Sequence, residues 1–365
     1  MRSNKYKRIV VKIGTKVITS KDRALDLSMV KALAGQVSAV MSAGIEVIVV
    51  TSGAIGAGMS LAGMKKRPAD LAGLQAAAAI GQGYLMHVYG ESFKERGHNV
   101  GQILLTQEDF NDRQRYLNIK NTVNMLLKHK AVPIINENDT VATEEIKCGD
   151  NDRLSSLVAD LSGADLLLIL SDVDGLLDKS GEVIKDVGEI TPGILKLGGK
   201  SRCDLGTGGM AAKIEAAGTV ILSGMDCIIA NGRAEDVLSR IALEGEAVGT
   251  IFKGRSMKLA ARKRWIAYSS RPKGAIIVDG GAREALAGRG KSLLASGISG
   301  LAGNFISGDV VKVADKDGKE FARGLVNYSS SEIAKIKGLK TSQIKSALGY
   351  QGRDEVIHKD NLVVL

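Results

Sequence analysis

The sequence has few aromatic residues, few cysteines and no long apolar run, and each of these absences excludes a class of protein. Aromatic side chains make up 4% of the 365 residues, so the core must be aliphatic. The three cysteines are odd in number and irregularly spaced, which excludes a disulfide framework or a zinc site and indicates a reducing cytoplasm. No stretch of about 18 apolar residues predicts a membrane span. The apolar run at the N-terminus is interrupted too soon to be a signal peptide.

A P-loop is also missing. Two Gly-Lys-Ser segments occur, but Ile194 and Ala285 stand where the motif needs its first glycine. The segment Gly206–Ala211 fits the looser dinucleotide pattern Gly-x-Gly-x-x-Ala. That fingerprint normally opens the first βα turn of a domain, whereas this segment lies late in the chain, so dinucleotide binding is not favoured.

Aliphatic runs alternate with helical patterns through the first two thirds of the chain. The strand-like runs lie near residues 8–12, 45–51, 99–105, 131–136, 164–170 and 225–230. Between them, stretches such as Met29–Met41 place apolar residues near helical spacing. This order predicts an α/β fold with a parallel sheet that helices cover on both faces.

Two polar runs lie close together where a strand ends and a helix begins. Asn136–Thr140 (NENDT) follows an apolar segment, and Gly149–Asp152 (GDND) precedes a helical pattern. The runs bring carboxylates and carboxamides to one edge of the α/β core, which suits a ligand with an ammonium group, or a metal. The alternative is that these are ordinary turn and cap residues, with Asp150 or Asn151 capping the next helix.

Further segments place glycines, hydroxyls or lysines at the ends of strands and the starts of helices. They are Lys12–Lys16 (KIGTK), Thr51–Gly58 (TSGAIGAG), Ser171–Gly175 (SDVDG) and Gly206–Lys213 (GTGGMAAK). Ligands of open α/β sheets bind outside the carboxyl ends of the strands. Glycines there let backbone N–H groups approach phosphate oxygens. Lys12 and Lys213 are the cations that we expect to serve phosphoryl transfer, the alternative being solvated surface charges.

Taken in order, these six segments resemble the amino-acid kinase superfamily, most closely its glutamate-phosphorylating members. The resemblance covers about the first two thirds of the chain. Thr15 stands where the family often has Ser, and Ser171 where Thr is common. The resemblance implies a three-layer αβα sandwich with a mostly parallel central sheet. It also implies a cytoplasmic enzyme that phosphorylates the γ-carboxylate of L-glutamate with ATP, giving L-glutamyl 5-phosphate for proline biosynthesis. A sibling kinase for aspartate, N-acetylglutamate, carbamate or UMP is the nearest alternative.

The resemblance also implies roles for individual residues. The catalytic residues would be Lys12, Lys213 and Asp152. The ATP site would comprise Lys12, Gly14, Ser171, Asp172, Thr207, Gly208, Gly209, Met210, Ala211, Ala212 and Lys213. The glutamate site would comprise Ser52, Asp139, Asn151 and Asp150. Asp150 and Asp152 are both candidates to orient the lysines or Mg²⁺. We expect Mg²⁺ to be held mainly by the nucleotide phosphates, with no metal ligands from the protein.

The net charge of +10 belongs entirely to the last third of the chain. Residues 1–254 contain 30 Lys and Arg against 30 Asp and Glu, whereas residues 255–365 contain 20 against 10. This asymmetry predicts a domain boundary and allows a polyanionic partner for the second part. The basic run Arg255–Trp265 predicts a linker helix. We therefore predict a kinase domain (1–254), a linker helix (255–272) and a second domain (273–365).

After Pro272 the sequence has short strands and glycine turns, a pattern that predicts a small mainly-β barrel. Ser292–Ile298 (SLLASGI) and Gly308–Val311 (GDVV) resemble the PUA domain over roughly residues 273–353. Many PUA domains bind RNA, which is the basis of a second alternative, an RNA-binding protein with an inactive kinase scaffold. Few aromatic side chains are available here to stack on bases, so a structural or regulatory role is favoured. The family further implies a homo-oligomer, dimer or tetramer, and feedback inhibition by proline.

Overall fold

The chain divides into two units, Met1–Lys258 and Leu259–Leu365. The computed structural model describes residues 5–20, 24–142, 151–199, 209–254, 261–270 and 272–365. None of the helices in these ranges has the length and the apolar composition needed to cross a membrane.

The first unit alternates strands and helices in the order that the sequence predicts. Its elements are β1 (Arg8–Ile13), α1 (Thr15–Ile18), α2 (Leu27–Ser42), β2 (Glu46–Val50), α3 (Ala54–Leu61), α4 (Leu71–Lys94), β3 (Val100–Leu105), α5 (Gln107–Asn111), α6 (Arg113–Lys128), β4 (Val132–Glu137), α7 (Asn151–Ser162), β5 (Leu166–Ser171), β6 (Asp186–Val187), α8 (Pro192–Leu197), α9 (Met210–Leu222), β7 (Asp226–Asn231), α10 (Val237–Ser239), a π-helical turn (Arg240–Glu244) and β8 (Thr250–Phe252). All six predicted strands are confirmed. The short strands β6 and β8 were not predicted, because two or three residues are too few to show a periodic pattern.

The strands form one eight-stranded sheet in the order β3-β4-β2-β1-β5-β7-β8-β6. Every neighbouring pair is parallel except β7 and β8. The prediction of a mostly parallel central sheet is therefore confirmed. Because β1 pairs with β2 on one side and with β5 on the other, the chain changes direction across the sheet at β1. Such a switch point leaves a crevice at the carboxyl ends of the strands.

Both faces of the central strands are buried. In β1, Ile9 and Val11 join a core cluster that also includes Leu33 of α2 and Leu85 of α4. The intervening Val10 is equally buried although it lies outside this cluster, so it faces the opposite side of the sheet. Helices α7 and α9 pack against each other and against β5. Burial on both faces explains why these strands are continuous aliphatic runs rather than alternating patterns.

Helices α3 and α4 cross at two glycines. A Cβ atom built on Gly58 would lie 1.8 Å from the carbonyl oxygen of Ala77, and one on Gly81 would lie 1.8 Å from that of Ala54. No side chain larger than hydrogen fits at either place. The crossing therefore holds the start of α3, and the loop that precedes it, against the middle of α4.

The second unit is mainly β. Its elements are α11 (Ala261–Arg264), a π-helical turn (Trp265–Ser269), β9 (Ala275–Val278), α12 (Gly280–Arg289), β10 (Leu293–Leu294), a 3₁₀ turn (Ala295–Gly297), β11 (Ile298–Ala302), β12 (Val310–Ala314), β13 (Glu320–Leu325), α13 (Ser330–Ile336), a 3₁₀ turn (Thr341–Gln343), α14 (Ile344–Leu348), β14 (Glu355–Ile357), a 3₁₀ turn (Lys359–Asn361) and β15 (Leu362–Val364). The strands form a five-stranded sheet in the order β11-β9-β12-β13-β15 and a separate β10-β14 ladder. Ile276, Val313 and Ile333 belong to its aliphatic core.

The prediction that this unit is mainly β is confirmed. Helices α12, α13 and α14 were not predicted, because the sequence was interpreted as short strands and glycine turns. The glycine-rich residues 280–282 begin helix α12 rather than forming a turn. The carboxylate of Asp279 accepts a hydrogen bond from the backbone N–H of Ala282 at 2.7 Å, so Asp279 is an N-cap. A capping box between Ser329 and Glu332 starts α13 in the same way.

Candidate active site

Lys12 lies near the carboxyl end of β1 with only 5% of the residue exposed. Two residues later, the backbone N–H of Gly14 donates to the carbonyl oxygen of Leu170 at 2.9 Å. A Cβ atom at Gly14 would lie 3.1 Å from that oxygen and 3.9 Å from Nζ of Lys12. A small residue there lets the end of β1 approach the end of β5, and the same Cβ position would also lie 3.9 Å from Cα of Ser171.

Asp152 brings Lys12 and Lys213 together. Its carboxylate forms an ion pair with Nζ of Lys12 and a second with Nζ of Lys213 at 2.8 Å. The Asp152 side chain is fully buried, and the two lysines are nearly so. Asp152 belongs to the first turn of α7 and Lys213 to the first turn of α9, so three separate elements meet at this point. Taken together, the three side chains carry two positive charges and one negative charge.

The pKa of Asp152 reflects this environment. Burial opposes ionisation of its carboxyl group, but the coulombic attraction and the hydrogen bonds of Lys12 and Lys213 together outweigh burial and lower the pKa below its ordinary value. Asp152 therefore stays ionised at neutral pH. A carboxylate that is held this way orients cations and is a poor general base.

A second polar cluster surrounds Asn151, the residue before Asp152. The amide nitrogen of Asn151 donates to Oγ of Ser52 at 3.1 Å, to Oδ1 of Asn136 at 2.8 Å and to the carbonyl oxygen of Thr51. All of these residues are buried. Gly53, the residue after Ser52, has a φ of +95°. This conformation favours glycine, and it turns the chain from β2 into α3. The ends of β2 and β4 and the start of α7 therefore meet at Asn151.

Asp139 follows the end of β4 in the loop beside this cluster. Burial raises the pKa of its carboxyl group to about 6, although the coulombic attraction of Arg67 acts in the opposite direction. The loop is attached to helix α4, because the side-chain amide of Gln75 donates to the carbonyl oxygen of Ala142 at 3.3 Å. Asp139 is thus a carboxylate at a partly dehydrated position, where a cationic group on a ligand would stabilise its charged form.

Ser171 and Asp172 lie at the end of β5, the strand that pairs with β1 on the side opposite to β2. Oγ of Ser171 donates to Oδ1 of Asp172 at 3.3 Å. Nζ of Lys16, which is half-exposed, pairs with Oδ2 of Asp172 at 2.7 Å. Gly209 precedes the first turn of α9 and provides no side-chain cap. The first backbone N–H groups of a helix have no intrahelical acceptor, so those of α9 are suited to an anionic ligand.

Most of the residues predicted from the sequence lie at this edge of the sheet. Lys12 and Lys213 each pair with Asp152, and Asn151 is hydrogen-bonded to Ser52. The other predicted residues lie at the adjoining strand and helix ends: Asp139, Gly14, Ser171, Asp172 and Gly209–Ala212. Asp150, Thr207 and Gly208 lie outside the described residues.

Three further groups at this edge were not predicted as site residues: Gln82, Lys16 and the backbone of Thr51. Gln82 is 54 residues before Asn136, to which it is hydrogen-bonded, so no local signal could have indicated it. Lys16 could have been found, because it is the second lysine of the KIGTK segment.

The fold and this edge define an α/β protein with a buried cationic site where its parallel strands end. Comparison with known proteins gives the family. The model of the "Amino acid kinase family" matches residues 7–231, and that of the "PUA domain" matches residues 274–348. The chain belongs to the amino acid kinase family.

Curated relatives cover almost the whole chain. A glutamate 5-kinase from Caldanaerobacter subterraneus subsp. tengcongensis is 50% identical over 98% of this chain and 98% of its own length. Glutamate 5-kinases from a Thermoanaerobacter species and a Geobacter species are 47% and 46% identical, over 98% and 99% of this chain and 98% of each relative. Both units of the chain therefore have counterparts in each of these proteins.

Proposed function

We propose that this protein uses Mg-ATP to phosphorylate the γ-carboxylate of L-glutamate, giving L-glutamyl 5-phosphate and ADP, the first step of proline biosynthesis. The single observation that carries the proposal is the buried group of Lys12, Asp152 and Lys213, which lies directly beside the polar cluster around Asn151. The names of the relatives that match over the whole chain support the same reaction.

The proposed phosphoryl transfer requires cations near the reacting groups and does not require a general base. A γ-carboxylate is already ionised near neutral pH and can attack the γ-phosphorus itself. One carboxylate oxygen forms the new bond to phosphorus, and the bond from phosphorus to the β,γ-bridging oxygen breaks, so that ADP leaves. In this proposal Lys12 and Lys213 offset the negative charge of the two reacting anions. Asp152 holds both ammonium groups in place and takes no proton.

The cluster around Asn151 supports an acceptor subsite. Ser52 and Asn151 offer neutral polar groups, and Asp139 offers a carboxylate that suits an α-ammonium group. Asp150 is proposed as part of the same subsite on the basis of its sequence position alone. A dehydrated carboxylate near an amino-acid ligand gains more from an ammonium partner than a solvated one would.

The nucleotide subsite is proposed on the other side of Lys12. The hydroxyl of Ser171 at the end of β5 and the backbone N–H groups at the start of α9 are suited to phosphate and ribose oxygens. Gly14 contributes by letting the end of β1 approach the end of β5. Thr207 and Gly208 belong to this proposal on sequence grounds.

The residues of the site fit a metal ion that arrives with the nucleotide. Among the residues that the structure describes, no three His, Cys, Asp or Glu side chains come together in a way that could hold a metal ion. The Asp152 carboxylate is occupied by the two lysines. We therefore propose that phosphate oxygens provide most of the ligands of Mg²⁺, which offsets phosphate charge when bound.

The remaining parts of the proposal concern the protein as a whole. Residues 1–254 would form the kinase domain, residues 255–272 a linker helix, and residues 273–365 a PUA-like domain with a structural or regulatory role. We also propose a cytoplasmic homo-oligomer that proline inhibits, and RNA binding by the second domain stays open. These points rest on the family resemblance and on the charge asymmetry of the sequence.

Trapping of the acyl phosphate with hydroxylamine tests the reaction. Purified protein, Mg-ATP and one amino acid at a time are incubated with hydroxylamine, and the hydroxamate is measured together with ADP. We expect hydroxamate from glutamate and far less from aspartate or N-acetylglutamate. Hydroxamate from one of these two acceptors but none from glutamate would show that the proposed substrate is wrong.

A further inference from the structure

Gln82, in the middle of α4, ends a chain of side-chain amides that begins at the acceptor subsite. Its Oε1 accepts a hydrogen bond from Nδ2 of Asn136 at 2.8 Å. Asn136 in turn accepts from the amide of Asn151 at 2.8 Å. The proposed function uses Asn151 but gives Gln82 no role.

The direction of this chain is set by backbone groups that can act in only one way. The carbonyl oxygen of Thr51 can only accept, so the group of Asn151 that faces it must be the NH₂ group. The backbone N–H of Glu137 can only donate, and it donates to Oδ1 of Asn136 at 2.9 Å. Asn136 therefore offers its oxygen to Asn151 and its NH₂ group to Gln82. Oε1 of Gln82 must face Asn136, and Nε2 must face away from it.

Nε2 of Gln82 is consequently a donor with a fixed direction. The atom is buried, and it has no hydrogen-bond partner among the described residues. Leaving a buried donor unpaired costs free energy, so a specific instance in a folded chain calls for an explanation. Rotating the amide by 180° would not remove the problem, because Nε2 would then face the NH₂ group of Asn136.

The position of Gln82 connects this donor with the acceptor subsite. The preceding residue, Gly81, lies against the carbonyl group of Ala54, the first residue of α3. Ala54 is only two residues after Ser52. Gln82 thus directly follows the residue that packs against the start of α3, and its hydrogen bond to Asn136 connects it with Asn151.

We infer that Gln82 is a further substrate-binding residue, whose Oε1 orients Asn136 and whose Nε2 donates to a carboxylate oxygen of the amino-acid substrate. The inference rests on the proposed function, because it presupposes an acceptor that carries carboxylates. A carboxylate supplies the acceptor that the buried donor lacks, and a hydrogen bond to a charged oxygen is among the stronger ones.

Two substitutions separate the roles of the two amide atoms. Q82E keeps an oxygen for Asn136 and replaces the NH₂ group with a second oxygen. Q82M keeps the approximate shape, adds no charge and removes both polar atoms. We expect both variants to raise the KM for glutamate by about 10- to 100-fold, the range for loss of a hydrogen bond to a charged group. The KM for ATP should stay within twofold of the wild-type value.

Gln36 on α2 provides the matched control. Its Oε1 accepts from the backbone N–H of Leu238 at 2.9 Å, and Gln36 is partly buried like Gln82. Q36E repeats the same chemical change outside the site and should leave both KM values unchanged. Melting temperatures of all variants show whether the folded state is retained.

The outcomes are distinct. Q82M with a glutamate KM within twofold of the wild-type value would overturn the inference. So would an effect of Q82E alone, since added charge rather than the lost donor would then be responsible, and so would a parallel rise of the glutamate and ATP KM values. Failure of the proposed function is recognised separately, because wild-type protein would then form no hydroxamate from glutamate at all.

Discussion

At the scale of single residues, the site depends on one buried carboxylate that neutralises half of the charge of two lysines. Asp152 has no exposed side-chain surface, and each lysine pairs with a different oxygen of its carboxylate. A buried charge is tolerated only when it is paired. The sequence places this aspartate between two cations rather than in a metal cage, which fixes both ammonium groups before any substrate arrives.

The first prediction concerns these lysines. Lys12→Ala and Lys213→Ala should each lower kcat by about 100-fold or more, because a preorganised cation at the reacting charge contributes roughly 3 kcal/mol. Each change should also lower the melting temperature, since Asp152 loses one of its two partners. Steady-state kinetics with glutamate and ATP, and a melting curve for each variant, provide the measurements.

Lys128 is the control for the lysine variants, because it is exposed at the end of α6. Lys128→Ala should have wild-type kinetics and stability. A Lys12 or Lys213 variant whose kcat stays within threefold of the wild-type value would show that the lysine in question does not serve the reaction.

Asp139 leads to a second prediction, on pH. Its pKa is raised from 3.8 to about 6 in the folded chain, so the folded state holds this proton more tightly than the unfolded chain does. The stabilisation that comes from this tighter proton binding is therefore complete below about pH 4, and it is lost as the pH rises through 6. The free energy of unfolding falls by up to about 3 kcal/mol, because a shift of one pKa unit corresponds to 1.36 kcal/mol. Asp139→Asn removes the titration.

Melting temperatures of wild-type protein and Asp139→Asn, measured without ligand between pH 4 and 8, test this. We expect the variant to gain stability relative to the wild-type protein between pH 4 and 6 and to keep that advantage above pH 6. In the wild-type enzyme the KM for glutamate should fall over the same range, as the carboxylate becomes able to pair with an ammonium group. A stability difference that does not change with pH would contradict the expected ionisation of Asp139.

At the scale of elements, the crossing of α3 and α4 positions the acceptor subsite. Gly81 leaves no room for a Cβ atom beside the carbonyl group of Ala54. A Cβ atom on Gly83 of the same helix would instead have no other described residue within 4 Å. The two glycines therefore respond to the same substitution in opposite ways, although they are separated by only one residue.

The third prediction uses this pair. Gly81→Ala should lower stability by about 1–3 kcal/mol or more through overpacking, and should raise the KM for glutamate because α3 begins two residues after Ser52. Gly83→Ala should raise stability by about 0.5–1 kcal/mol, because alanine is the better helix former, and should leave the kinetics unchanged. Denaturant unfolding and steady-state kinetics distinguish the two. Equal effects at both positions would mean that the crossing does not position the subsite.

The elements that the sequence predicted are those with long, periodic patterns. Five of the six longer strands of the sheet are almost fully buried, mainly aliphatic runs, whereas the edge strand β3 is only partly buried. Helix α2 shows its apolar face at helical spacing. The helices of the second unit were missed because glycine-rich starts such as Gly280–Gly281 resemble turns. For α12 and α13, the N-cap residues Asp279 and Ser329 were the sequence signals that could have predicted a helix.

The site residues also differ in how far local sequence patterns could indicate them. Lys12, Asp152 and Lys213 could be predicted because each lies in a local motif at the end of a strand or the start of a helix. Their mutual contacts, and the part of Gln82, depend on long-range packing: 61 residues separate Lys213 from Asp152, and 54 separate Gln82 from Asn136. A motif carries no information about which of its atoms will meet a distant segment.

At the scale of the whole molecule, most of the net charge and the proposed chemistry belong to different units. Residues 1–254 are electrically balanced and contain all six motifs, whereas the excess of +10 lies after them. The first unit has its own eight-stranded sheet and aliphatic core, and the second has a separate core. Each unit therefore has what a domain needs to fold alone.

The fourth prediction is that a chain truncated after Lys258 folds and still forms γ-glutamyl phosphate, but responds differently to proline. The end point follows from the structure, because the backbone N–H of Gly254 donates to Asp226 at 3.0 Å and Lys253 pairs with Asp186. A cut before these residues would remove contacts that belong to the first unit. Hydroxamate trapping with and without proline, compared with the full-length chain, provides the measurement. A folded truncation that forms no hydroxamate from glutamate, while the full-length chain does, would mean that the second unit completes the active site, and the proposed division of roles between the two units would be wrong.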